Sequence, residues 1–125
     1  MASRPVRVPG PDHPITITRA GGRVVVRDGE RVLVDTRNAL VLQEASYAPV
    51  FYLPREDADM AALSRTEHHS WCPYKGEASY YSLPGNSERA VNAIWTYEEP
   101  HDAVASIRGH LAFYPDRVGI EHTPA

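Results

Sequence analysis

Apolar residues fall along this chain in short runs, some alternating with polar residues and some contiguous, broken by glycine, proline or asparagine. A period of two is that of strands with one buried face, and helices repeat at 3.6. "ITIT" from Ile15 and "RVVVRDGERVLVD" from Arg23 read as strands. The second run is a pair joined at Asp28-Gly29, a dipeptide that accepts the positive φ of a tight hairpin. In "ALVLQEA" (39–45) Leu40, Leu42 and Glu44 alternate as in a strand, although Ala, Leu, Gln and Glu also favour helix; strand is the preferred reading. "PVFYLP" (49–54) is a β-prone run stopped by proline at each end.

The pattern changes at "REDADMAALSRT" (55–66). Early acids and the Met60/Leu63 spacing predict one helix of about two turns, with the acids near its positive end. "EASYYSL" (77–83) and "AVNAIWTYEE" (90–99) then read as a long hairpin through the turn residues Pro84, Gly85 and Asn86. In its second arm Val91, Ala93, Trp95 and Tyr97 point one way, and Asn92, Ile94 and Thr96 the other. "HLAFY", a Pro115-Asp116 turn and "VGIE" close the chain. About eight strands, one or two short helices and no internal repeat predict a mainly β fold of two packed antiparallel sheets. The Pro-rich, basic residues 1–14 read as a loose lead-in, and 15–122 as one domain.

Composition narrows the function classes. A length of 125 residues suits one domain, and 42% hydrophobic with 23% charged residues is globular. A net charge of −3 gives nothing to neutralise phosphates, so no nucleic-acid partner is expected. No run approaches the roughly eighteen apolar residues of a membrane span, and the N-terminus lacks a signal-peptide apolar region, so a cytoplasmic protein without membrane partners is expected. Cys72 stands alone, which rules out an intrachain disulfide and fits a reducing compartment. A homodimer is compatible with all of this.

Chemistry concentrates in "HHSWCPYKGEASYY" (68–81). His68, His69 and Cys72 lack the second ligand pair that structural zinc wants, and there is no HExxH, so no metal or other cofactor is expected. No Gly-rich phosphate loop precedes Lys75, which leaves it as a contact for an anionic ligand group. Cys72, with Lys75 and His68 or His69 nearby, is a candidate catalytic nucleophile or redox thiol; the alternative is a packed cysteine acting as a small hydrophobe. Arg55 and Asp57 read as a charged pair that positions a ligand or caps the helix that follows. Of the dense aromatic set, Tyr52, Tyr74, Tyr80, Tyr81, Trp95, Tyr97 and Phe113, most must be core, while alternation forces some onto a second face.

"CPYKGEASYYSL" (72–83), "AIWTYEEP" (93–100) and "GHLAFYPDRV" (109–118) together resemble the DUF427 family, as do "RVLVDTRNALVLQEA" and "VFYLPREDADMAAL" upstream. The resemblance runs from about His13 to about Val118. It implies a tent-like β fold shared with Mss4, methionine sulfoxide reductase B and the cereblon ligand-binding domain. It also carries a nucleotidyltransferase-like label, although the chain has no Gly-Ser motif with a following aspartate pair for magnesium-assisted transfer. The zinc site of the tent-like relatives needs two Cys pairs and does not carry over. The family pattern does carry over to Arg55, Asp57, Cys72, Pro73, Lys75, Gly76, Tyr80, Trp95, Tyr97 and Pro100.

The expectation is therefore a small-molecule-binding module. Its cleft would be lined by Cys72, Lys75, Tyr80, Trp95 and Tyr97, with Arg55 and Asp57 at the mouth. Enzyme and structural-domain readings stand as alternatives.

Overall fold

The computed structural model describes residues 4–125. It is mainly β: ten strands and three short 3-10 helices. The strands are β1 (Ile15–Arg19), β2 (Arg23–Asp28), β3 (Arg31–Thr36), β4 (Leu40–Glu44), β5 (Val50–Tyr52), β6 (Ser64–Cys72), β7 (Gly76–Ser82), β8 (Ile94–Thr96), β9 (Leu111–Phe113) and β10 (Gly119–Thr123). They form three antiparallel sheets, ordered β1-β4-β5, β10-β2-β3 and β6-β7-β8-β9, where the sequence suggested two. The first and third sheets are nearly one. Leu53 and Leu111 exchange backbone hydrogen bonds of 2.8 and 2.7 Å, which stitches the end of β5 to β9.

Alternation along these strands sorts side chains into two cores. One face carries Leu42, Tyr52, Ala78, Tyr80, Tyr97 and Ala112, closed from below by Val104 and Ile107 of the 3-10 segment Asp102–Ile107. The other carries Leu53, Tyr81, Ile94, Leu111 and Phe113 and packs on Val24, Val26, Leu33 and Val34 of the β2-β3 hairpin. Adjacent residues therefore part company: Tyr80 belongs to one core and Tyr81 to the other. Fully buried side chains such as Leu42, Tyr52 and Val104 each contribute about 1.5–3 kcal/mol. Residues of β4 pack on residues of β7 within the first core, so the sheet surface curls into a trough.

Four sequence expectations are corrected. The two-residue loop of the β2-β3 hairpin is Gly29-Glu30, not Asp28-Gly29: Asp28 still pairs with Arg31, and only Gly29 has positive φ. The helix expected over 55–66 is two separate 3-10 turns, Arg55–Asp57 and Met60–Ala62. Ala58 between them is extended because it bridges to Val34, and Asp59 donates its N–H to Leu33 O at 2.8 Å. From Ser64 the chain is already β6, an edge strand whose mostly exposed residues lack apolar alternation. The second hairpin arm is regular only from Ile94: Asn92 sits at φ 52, a region Asn tolerates, and Val91 is exposed instead of sharing the Trp95 face.

Ahead of β1, residues 4–7 make specific contacts with β6, β7 and the turn between them. Arg7 N–H donates to Pro73 O at 2.9 Å, Trp71 Nε1 donates to Pro5 O at 2.8 Å, and Arg4 lies 4.8 Å above the Trp71 ring and pairs with Glu77. Among the described residues no helix is long and apolar enough to cross a membrane.

Candidate functional site

The trough is incompletely filled. A cavity of about 240 Å³ remains, walled by six aromatic rings: Tyr47, Tyr52, Tyr80, Trp95, Tyr97 and Tyr114. Strand period places them. Tyr80 of β7 stands opposite Trp95 of β8, and Tyr97 follows two residues later on the same face. On the opposing wall Leu42 and Val50 are cross-strand partners, and Tyr52 is two residues on from Val50. Trp95 lies edge-on to Tyr52 with centroids 6.5 Å apart and tilted against Tyr114 at 4.6 Å, separations at which aromatic pairs attract.

The polar end of the cavity is an ion pair. Glu44, last residue of β4, takes Lys75 Nζ on one carboxylate oxygen and His13 Nε2 at 2.8 Å on the other. Both Lys75 and Glu44 side chains are largely buried. Burial raises the Glu44 pKa, but the hydrogen bonds and charges of Lys75 and His13 outweigh it and hold the carboxyl below its usual range. Tyr74 stacks flat on His13 at 4.0 Å, which fixes the imidazole.

Backbone geometry presents both partners. Gly76, at φ 111, ends the turn that carries Lys75, and a Cβ there would stand 3.4 Å from Glu99 O and the His101 ring. Ala45 adopts φ 48 after Glu44, an uncommon region for alanine, and turns the chain so that Tyr47 closes over the opening. Gln43 Nε2 holds that turn through Ala45 O at 3.1 Å and Tyr47 O at 2.6 Å.

Tyrosine hydroxyls supply the remaining polarity. Tyr80 shares a 2.7 Å hydrogen bond with Ser70, and Tyr52 accepts one from Trp95 Nε1 at 3.2 Å. Tyr97 is 6% exposed; its hydroxyl has no hydrogen bond to the described residues but is not sealed from solvent. Burial, then the neighbouring phenols, thiol and carboxylate, pushes the Tyr97 pKa well up; burial does the same for Tyr52, so both stay protonated donors.

Of the residues singled out from sequence, Lys75, Tyr80, Trp95 and Tyr97 line this one cavity. Cys72 packs against the same core and is not among the residues that line the cavity. No hydrogen bond links Cys72 to a histidine among the described residues: His68 tilts against Tyr80 at 4.5 Å, and His69, on the other face, lies 3.4 Å from Ser79 Oγ.

Arg55 and Asp57 are not at the mouth, and they do not pair with each other. Arg55 lies across the sheet, donating to Gly109 O (2.7 Å), Tyr81 Oη (3.2 Å), Thr96 Oγ1 (3.2 Å) and Glu98 (3.1 Å). Glu98 also receives Arg65 at 2.7 and 3.0 Å, and these bonds bring its pKa down to about 2. Asp57 accepts from Thr36 Oγ1 at 2.7 Å. With their hydrogen-bonding groups turned inward, both residues hold elements together. No group of three His, Cys, Asp or Glu is placed to hold a metal among the described residues.

Glu44, His13, Tyr47 and Tyr114 escaped the sequence reading of the site. A signal for Glu44 was visible: a carboxylate in alternation with Leu40 and Leu42 lies on a buried face, where it needs a cationic partner.

Fold and site together define a small antiparallel β domain with one aromatic trough. The family profile described as a domain of unknown function, DUF427, matches residues 16–123, and the chain belongs to that family. No curated protein matches the chain.

Proposed function

We propose that this protein is a small-molecule-binding module whose ligand lies in the aromatic cavity. One observation carries the reading: six rings converge on a space left open beside an internally neutralised Lys75–Glu44 pair. An apolar cavity of about 150 Å³ takes a benzene ring. One of about 240 Å³ suits a single ring with a short substituent. Lys75 and Arg55 already face carboxylates, which favours a neutral planar ligand over the anionic one that free cations would suggest. In this reading the fold is a tent-like ligand domain working in the cytoplasm, and Cys72 is a packing residue.

The test is ligand-observed NMR with a panel of planar fragments. Binding should weaken at least tenfold in Trp95→Ala, with circular dichroism reporting the fold. Tyr97→Phe, which removes only an unpartnered hydroxyl, guards against loss of structure. A native protein that binds no planar fragment, or binding indifferent to both substitutions, overturns the reading.

A further inference from the structure

Trp95, Val50 and Ala48 wall two spaces at once. Beyond them lies a groove of about 380 Å³, lined further by Phe51, Leu53, Phe113 and Ile120, with no charged side chain in its walls. An apolar part of a ligand gains free energy by leaving water for such a groove. Pro49 and Pro115 stand on the groove and offer no N–H, so its rim is poorly suited to receive a peptide strand by backbone pairing.

The cavity itself has a polar preference. The Tyr97 hydroxyl has no partner, and the Tyr52 hydroxyl accepts from Trp95 while its own proton has no acceptor, among the described residues. Two hydroxyl donors at the cavity therefore have no protein acceptor among the described residues and can meet one on a ligand. Glu44 has both oxygens engaged and Lys75 is paired, so neither calls for a charged ligand.

Resting on the ligand-binding reading above, we infer that the ligand is amphipathic: a neutral planar head bearing a carbonyl-type acceptor toward Tyr52 and Tyr97, and an apolar chain that crosses Trp95 into the groove. The head supplies orientation and the chain most of the affinity.

Isothermal titration with benzamide, 4-butylbenzamide and 4-hexylbenzamide tests this, with the matching alkylbenzenes as controls. Affinity should rise about fourfold per methylene along the benzamide series. Tyr97→Phe should weaken every benzamide about fivefold and leave that slope unchanged. Ile120→Thr should flatten the slope and leave benzamide itself unaffected. If benzamide binds but the slope is flat, the chain-in-groove inference is overturned while the cavity reading survives. If alkylbenzenes bind as well as the benzamides, the acceptor requirement is overturned. If no benzamide binds the native protein, the inference and the reading beneath it both fall. Sedimentation showing a dimer that closes the groove would also overturn the inference.

Discussion

Lys75 and Glu44, 31 residues apart in the chain, close one end of the aromatic cavity as a largely buried ion pair. Removing one member of such a pair leaves an uncompensated charge, which is worse than removing both. Lys75→Met should destabilise the fold by about 3 kcal/mol, and Lys75→Met with Glu44→Leu should recover most of that loss; urea denaturation at pH 7 checks both. The pH dependence follows from the depressed Glu44 pKa. Its stabilising share is present above the ordinary value of 4.5 and is lost as the pH falls through the lower folded value. In Lys75→Met the folded value moves back up, so this acid-dependent share should shrink.

Gly76→Ala should lower stability by about 1–3 kcal/mol, because φ 111 is a glycine conformation; the new Cβ would sit at ordinary contact distance, 3.4 Å, from Glu99 O and His101. Since Gly76 ends the turn bearing Lys75, the substitution should also weaken fragment binding in the cavity. Gly85→Ala is the informative comparison: its φ is 93 but nothing lies within 4 Å of the added Cβ, so it should show the conformational loss without the contact. Thermal unfolding of the two variants separates these contributions.

Several strands were legible as short β-prone runs bounded by turn residues. "LVLQE" alternates around the buried Leu42, whereas in "VLVD" and "HLAFY" neighbouring residues are buried together, so run length and flanking residues marked the strand and the period did not assign its buried positions. β6 was not legible, because an edge strand with a largely wet surface imposes no apolar period on "SRTEHHSWC". The 55–66 segment misled for a different reason: its propensities favour a helix, but Ala58 and Asp59 are captured by β3, and tertiary hydrogen bonds override a short helix. The aromatic side of the cavity could be anticipated from Tyr80, Trp95 and Tyr97. Its opposing wall could not, since nothing local says that β4 folds back onto β7 or that His13 reaches Glu44.

Acid stability should depend on Glu98. Arg65 and Arg55 hold its pKa near 2, so the carboxylate stabilises the fold above its ordinary value of 4.5, and that contribution disappears as the pH drops from 4.5 toward 2. Glu98→Gln should therefore be less stable than the native protein at pH 7 and nearly equal to it at pH 2. The two curves of stability against pH should converge across that window. Parallel curves would mean that the Arg65–Glu98–Arg55 cluster contributes nothing that titrates.

Arg55 separates a structural cation from a ligand-binding one. Its guanidinium ties the turn after β5 to Gly109 O, to Tyr81, and to Thr96 and Glu98 at the end of β8, all on the sheet face opposite the aromatic cavity. A lysine keeps the charge but cannot reproduce a planar fork reaching four acceptors, and Thr96, fully buried, stays beneath it. Arg55→Lys should cost about 2 kcal/mol of stability, the loss of two or three charge-assisted hydrogen bonds partly offset by the retained pairing with Glu98. Fragment affinity in the cavity should stay within twofold of native. A variant that keeps its stability but loses binding would instead make Arg55 part of the ligand site, and denaturation and titration on the same sample distinguish the two outcomes.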